Sequence, residues 1–150
     1  MHQLSIAPVT AADLEDLAPL MRAYCDFYEV DPTDEALRAL TLALLENPDE
    51  GVQLIARDDT ETPIGFATIY WTWQTLHAAR VGVLNDLYVA PTVRGGGIGR
   101  ALIERCLQLC RERGVAKLVW ETAPDNQVAQ RLYDGLGAEK SPWLSYELDA

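Results

Sequence analysis

Two periods of apolar and polar residues follow one another along this chain, and each change of period marks an element. Residues 3–8 alternate and predict a short edge strand. Leu14, Leu17, Leu20, Met21, Tyr24 and Phe27 then recur at helical spacing, with Thr10 as N-cap and Asp13 at the third helical position as a weaker capping box. The chain breaks at residues 28–32, which end in Asp31-Pro32. Thr33 caps a second helix whose apolar stripe is Leu37, Leu40, Leu44 and Leu45, and the run NPDEG at 47–51 ends it. Residues 52–57 and 64–75 read as strands joined by a polar hairpin loop at 58–62. Residues 81–89 are a β-branched run that reads as the central strand, so these three form an antiparallel meander. Pro91 ends that strand by removing a backbone donor. From Ile98 onward Ala101, Leu102, Cys106, Leu109 and Cys110 return to helical spacing, and Gly114 stops the helix. Residues 115–122 are a further strand, parallel to 81–89, which makes a right-handed βαβ unit. Pro124-Asp125-Asn126 opens a last helix that reaches Leu136, and residues 145–148 close the sheet behind Trp143. The expected architecture is one α/β domain over residues 1–150. Its sheet is mixed and mostly antiparallel, of about six to seven strands with a central parallel pair, and about four helices cover both faces.

Between the central strand and its helix lies Arg94-Gly95-Gly96-Gly97-Ile98-Gly99-Arg100. A helix start offers unpaired N–H groups and a partial positive charge, and glycines let the backbone of a large anion approach them. Such a loop suits phosphate or pyrophosphate. No Lys-Ser/Thr follows the last glycine, so it is not a P-loop, and the spacing is not the G-x-G-x-x-G of a dinucleotide fold. An ordinary tight turn would use a glycine for its positive φ, but three in a row between two arginines exceed what a turn needs.

Composition narrows the partners. The net charge of −11 argues against nucleic acid and is compatible with a cationic small substrate, although acidity also serves solubility. No apolar run reaches membrane-spanning length and the N-terminus lacks a signal-peptide pattern. The three cysteines form no CxxC, and Cys106 and Cys110 lie one turn apart on the apolar helix face, where they read as inert core residues. Together these features predict a cytoplasmic protein. No metal-ligand spacing occurs; His77 reads as a loop residue and His2 as terminal.

The order Arg94-x-x-Gly97-x-Gly99, preceded by Leu87-Tyr88-Val89-x-Pro91, resembles the R/Q-x-x-G-x-G/A signature of the GNAT N-acetyltransferase superfamily, with loose similarity to its diamine and aminoglycoside acetyltransferase-type members. The order of elements resembles that fold over essentially the whole chain, most strongly at residues 64–138. The resemblance implies acetyl-CoA as co-substrate. It implies that Arg94, Gly95, Gly96, Gly97, Ile98, Gly99 and Arg100 grip the pyrophosphate and that Leu87, Tyr88 and Val89 hold the pantetheine and thioester. It also implies a bulge that frees an N–H near Tyr88 or Val89 to polarise the thioester carbonyl, beside a parted pair of strands. A second motif, Asn126-x-x-Ala129-x-x-x-Tyr133, supports it: the resemblance gives Asn126 a bond to the pantetheine arm and Tyr133 the role of general acid. Taken alone, Tyr133 reads as a half-buried aromatic and Asn126 as an N-cap.

The general base is less defined. Diamine acetyltransferases carry Glu-Asp where this chain has Asn85-Asp86, and strict alternation would send these two side chains to opposite faces. Asp86 is the first candidate, with Glu121 acting through water as the second; Asp86 could equally be a strand-end carboxylate satisfied by backbone. Tyr28 and Glu29, with Tyr24 and Asp31, and Trp71 and Trp73 on one strand face, could form an aromatic and acidic wall for a cationic amine, while the tryptophans could instead cover the core or a dimer surface. The expected function is transfer of the acetyl group to a primary amine of a small molecule or peptide, directly in a ternary complex. The alternative is a non-catalytic acyl-CoA-binding sensor or structural module. Many relatives pair as dimers, so a homodimer is compatible with the resemblance.

Overall fold

The computed structural model describes residues 3–150; the expectation for His2 lies outside them. Five strands form one sheet in chain order: β1 (Ser5–Pro8), β2 (Gly51–Arg57), β3 (Pro63–Gln74), β4 (Ala79–Val89) and β5 (Leu118–Val119). The first four pair antiparallel, and β4 and β5 pair parallel. Four α-helices complete the domain: α1 (Leu14–Phe27), α2 (Asp34–Glu46), α3 (Ile98–Glu112) and α4 (Gln127–Gly135).

The helices divide between the two faces of the sheet, and each face has its own core. On one side α1 and α2 cover Ile55 and Phe66 with Leu17, Leu20 and Met21. On the other, Leu102, Ile103, Cys106 and Cys110 of α3 close over Leu54, Ala67, Ile69, Trp71 and Leu84, with Leu132 and Tyr133 of α4, and Leu136 just past its end, at the edge. Cys106 and Cys110 are therefore core residues, as their helical spacing indicated, and burial pushes the Cys106 thiol up to about 12. Thr33 caps α2 by accepting the Ala36 amide at 3.0 Å, as its place before the apolar stripe foretold.

Two expectations fail at the C-terminal side. The strand expected at residues 115–122 shrinks to Leu118–Val119, and no strand forms at 145–148, so the sheet has five strands and not six to seven. The first failure follows from β4, which leaves β5 after two residue pairs. The second follows from the first, because the tail finds no strand to pair with. Trp143, Leu144, Tyr146 and Leu148 are exposed, and Ser145 touches the fold through its hydroxyl, which donates to Glu121 at 2.8 Å.

Candidate active site

The glycine loop is built by backbone geometry. Pro91 opens a short turn, Pro91–Val93, and Gly95 and Gly97 then take φ of 85° and 81°, a region costly for residues with a Cβ. A Cβ at either position would meet no atom within 4 Å, so the space in front of the loop is open. No side chain caps α3. Ala101 is the first amide of that stretch to reach a carbonyl, on Gly97 O at 3.0 Å. Among the described residues, no acceptor is seen for the Gly95 and Gly97 amides, and those of Ile98, Gly99 and Arg100 lie in the first turn of α3, where the helix itself offers none. Gly99 has a different reason to be glycine: its Cβ would lie 3.3 Å from Leu132 Cδ2, where α4 packs on α3. Arg94 folds back, its Nε donating to Val89 O at 2.9 Å with the guanidinium over the Tyr88 ring. Arg100 faces Glu104, at 2.9 Å, so its charge is partly offset.

Beside this loop the central strands part. β4 and β5 pair at Gly82–Leu118 and Val83–Val119, and β4 runs on to Val89 with no further partner on that side. On its other side β4 stays joined to β3, with one irregularity: Thr68 faces Asp86 and Ile69 faces Leu84, which leaves Asn85 as an inserted bulge residue. The bulge changes which amides face which neighbour. Gly82 donates towards β5, to Lys117 O at 2.9 Å, whereas Ala90 donates towards β3, to Ile64 O at 2.8 Å. Counting back from Ala90 by alternation, Leu87 and Val89 direct their amides into the gap.

The bulge also overturns strict alternation at Asn85-Asp86. The two side chains meet, with Asn85 Nδ2 donating to Asp86 Oδ1 at 2.9 Å. Asp86 sits on the α1 face, across from Thr68 in the β3–β4 register, and the Thr68 and Tyr24 hydroxyls lie near enough to favour its ionised form. Tyr24 also reaches Asn85 O at 3.3 Å. Burial pushes the Asp86 carboxyl above the ordinary carboxylate range, and these three donors pull it part of the way back. Burial, with Asp86 nearby, raises the Tyr24 and Tyr70 phenols. An aromatic chain leads outward: Phe66 to Tyr24 at 5.7 Å, Tyr24 to Tyr28 at 5.0 Å, and Tyr28 to Phe27 at 5.1 Å between ring centres.

Tyr133 stands edge-on to Trp120, with ring centres 5.2 Å apart. Its phenol is raised by burial and by Tyr28, which puts it within electrostatic reach of the aromatic chain beside Asp86. Tyr28 thus acts on Tyr133 on one side and, through Tyr24, neighbours Asp86 on the other. Asn126 caps α4, its Oδ1 accepting from Ala129 N at 3.2 Å, which leaves its Nδ2 free. Glu29 is exposed just past α1 in a left-handed conformation, φ 57°. Glu121 is exposed and bonded to Ser145.

The tryptophans do not join this wall. Trp71 is 5% exposed and packs in the α3-side core, the face opposite to Asp86, with Arg113 over its ring. Trp73 shares that face and is 67% exposed under Arg80. Both were correctly placed on one strand face by period 2, but it is the face that α3 covers. Sequence reasoning missed Thr68, Gln53 and Tyr70. The available signal was a polar residue inside each of two apolar strand runs, GVQLIAR and GFATIYW.

Residues 17–138 match the acetyltransferase (GNAT) family. The chain is 32% identical over 137 residues to the uncharacterized N-acetyltransferase YhfO of Bacillus subtilis (strain 168), covering 91% of each. It is 26% identical over 163 residues to thialysine N-epsilon-acetyltransferase of Mus musculus, covering 99% of this chain and 94% of that one. Among solved structures, one of a probable acetyltransferase superposes with a TM-score of 0.86 at 30% identity, covering 97% of each chain.

Proposed function

Because the chain belongs to the acetyltransferase (GNAT) family and is therefore an acyltransferase that draws on acetyl-CoA, we propose that it acetylates a primary amine of a small molecule or peptide by direct transfer in a ternary complex. The observation that carries this reading is the set of unpaired amides around Gly97 at the start of α3, at the mouth of the β4–β5 gap, together with the half-buried carboxylate of Asp86 on β4.

The loop amides and Arg94 bind the diphosphate, and Leu87, Tyr88 and Val89 line the arm in the gap, where Asn126 Nδ2 adds a donor. The Leu87 or Val89 amide polarises the thioester carbonyl as charge develops on its oxygen. Asp86 draws in the acceptor as an ammonium and takes its proton, so that the neutral amine attacks the carbonyl carbon. The carbon–sulfur bond breaks, and the departing thiolate takes a proton from Tyr133, whose raised phenol keeps that proton until it is needed; the second proton shed by the nitrogen as the amide forms returns to the Tyr133 oxygen, and Asp86 releases the first to solvent. Tyr28 and Glu29, with Tyr24, form the aromatic and acidic side of the acceptor cleft.

Calorimetry with CoA and thiol release across a panel of amines test the reading together. Binding of CoA with amine-dependent thiol release supports it. Binding with no amine raising release above hydrolysis supports the acyl-CoA sensor instead, a reading kept by Asn85 standing where related enzymes carry an acid. Absence of binding at millimolar CoA ends both.

A further inference from the structure

A line of buried polar side chains crosses the sheet on the α1–α2 face and ends at Asp86. Thr41 of α2, Gln53 of β2 and Thr68 of β3 are 1%, 3% and 0% exposed, in an otherwise apolar layer. Thr41 Oγ1 donates to Gln53 Oε1 at 2.8 Å, and Gln53 Nε2 donates to Thr68 Oγ1 at 3.1 Å. With its oxygen engaged in this way, Thr68 stands directly across β3–β4 from Asp86, where its hydroxyl favours the ionised carboxyl. Both hydrogen bonds run in the same sense, towards Thr68 and the carboxylate across from it. A buried chain of this kind costs more than an apolar replacement unless all its members are satisfied, as they are here.

We propose that Thr68, set by Gln53 and Thr41, is a positioning residue for Asp86, and that this chain keeps the carboxylate charged and aimed at the acceptor amine. The inference rests on Asp86 being the base. Among the described residues, nothing else around the carboxylate supplies a compensating charge. The titratable groups that act on it or feel it are the Tyr24 phenol and Cys25 thiol of α1 and the Tyr70 phenol of β3, all raised and so neutral at working pH, and the facing residues Thr68, Gln53 and Asn85 carry no charge. The ionised form is therefore favoured by neutral polar neighbours alone, and removing one should be felt at once.

The test follows the Asp86 carboxyl by carbon-13 NMR titration and, separately, the pH profile of kcat/KM, in the parent, Thr68→Val, Thr68→Ser and Gln53→Met. In Thr68→Val the carboxyl should titrate at higher pH and the acid limb of the profile should move with it. The rate at the acid end should fall about tenfold while the high-pH plateau stays within a few-fold. The acceptor amine titrates the same against either protein, so a moved limb belongs to the enzyme. Thr68→Ser keeps the hydroxyl and should restore both readouts. Gln53→Met, one step removed, should shift them in the same direction by less, and it serves if Thr68→Val does not fold. A carboxyl titration that stays put in a folded Thr68→Val overturns the inference. If the titration moves and the rate limb does not, the chain acts on Asp86 as inferred, but Asp86 is not the base, and the proposed mechanism is what fails.

Discussion

Gly97→Ala separates the two jobs of the glycine loop. Gly97 has φ 81° and is the N-cap of α3, and an added Cβ would touch nothing within 4 Å. The substitution therefore creates no clash, and its cost to folding is the strain of a left-handed alanine, roughly 1–2 kcal/mol. In a domain of 150 residues that lowers the melting temperature by roughly 2–8 °C. The effect on CoA should be larger. Relief of the strain swings the Gly97 and Ile98 amides, and the new methyl enters the space the diphosphate would occupy. Losing one or two hydrogen bonds to a charged group, each about 1.5–3 kcal/mol, weakens binding by at least about tenfold.

Gly99→Ala is the control. Its backbone is ordinary, its Cβ points to Leu132 Cδ2 on α4 and not to the loop mouth, and alanine favours the helix over glycine by about 1 kcal/mol. Stability should change by less than about 1 kcal/mol and CoA affinity by less than about threefold. Calorimetry with CoA and a thermal melt of each variant provide the readings. If Gly97→Ala shows the strain in its melting temperature yet binds CoA within twofold of the parent, the loop amides are not the diphosphate cradle.

Asp86→Asn should lower kcat/KM by roughly 10²–10⁴-fold, the usual range for loss of a general base. Its stability relative to the parent should depend on pH with a defined sign. Burial raises the carboxyl in the native state, so the stability it contributes is present below its unfolded value and is lost as pH rises through the folded one. Melting temperatures should move in favour of Asp86→Asn from acid to neutral pH, and a difference independent of pH would contradict the burial. Tyr133→Phe should reduce kcat by roughly 10²-fold with CoA affinity unchanged by calorimetry; an unchanged kcat removes Tyr133 as the acid. Cys25, Cys106 and Cys110 are 7%, 0% and 3% exposed, so a thiol reagent should label them only as the protein unfolds. Rapid labelling of any of them in native protein would contradict the packing.

The parts legible in the sequence were those whose cause is local. Residues 98–112 show their helix through apolar spacing, and Gly97 marks its start because no other residue takes that φ cheaply. Thr33 and Asn126 announce their caps for the same reason, since the oxygen that accepts the amide belongs to the residue itself. What stayed hidden depends on distant partners. Period 2 put Trp71 and Trp73 on one face without saying which helix lies over it. Residues 145–148 alternate well enough for a strand, but a strand also needs a neighbour, and β5 is gone by Val119. Gln53 and Thr68 reveal their purpose only when β2, β3 and β4 are in register.

Asn85 shows how one residue can govern the whole site. With strict alternation, Leu84, Asp86 and Tyr88 would share one face of β4, and Leu87 and Val89 the other. Leu84 is fixed in the α3-side core, so Asp86 would enter that core beside Leu102 and Cys106, with no donor to receive it. An unpaired carboxylate there is far costlier than one interrupted ladder. The bulge inserts one residue and moves the parity by one. Leu87 and Val89 then rejoin Leu84 over α3, Tyr88 goes to the α1 face, and Asp86 meets Thr68 and Tyr24. The same step turns the Leu87 and Val89 amides into the gap. Deleting Asn85 should therefore remove both the carboxylate and the oxyanion-binding amides from the cleft. The chain must then either bury the charge or slip β4 along β3, and a melt should show it unfolded or strongly destabilised, on the order of 4 kcal/mol or more. If the shortened chain kept its stability and its thiol release, the carboxylate would not be what requires the bulge.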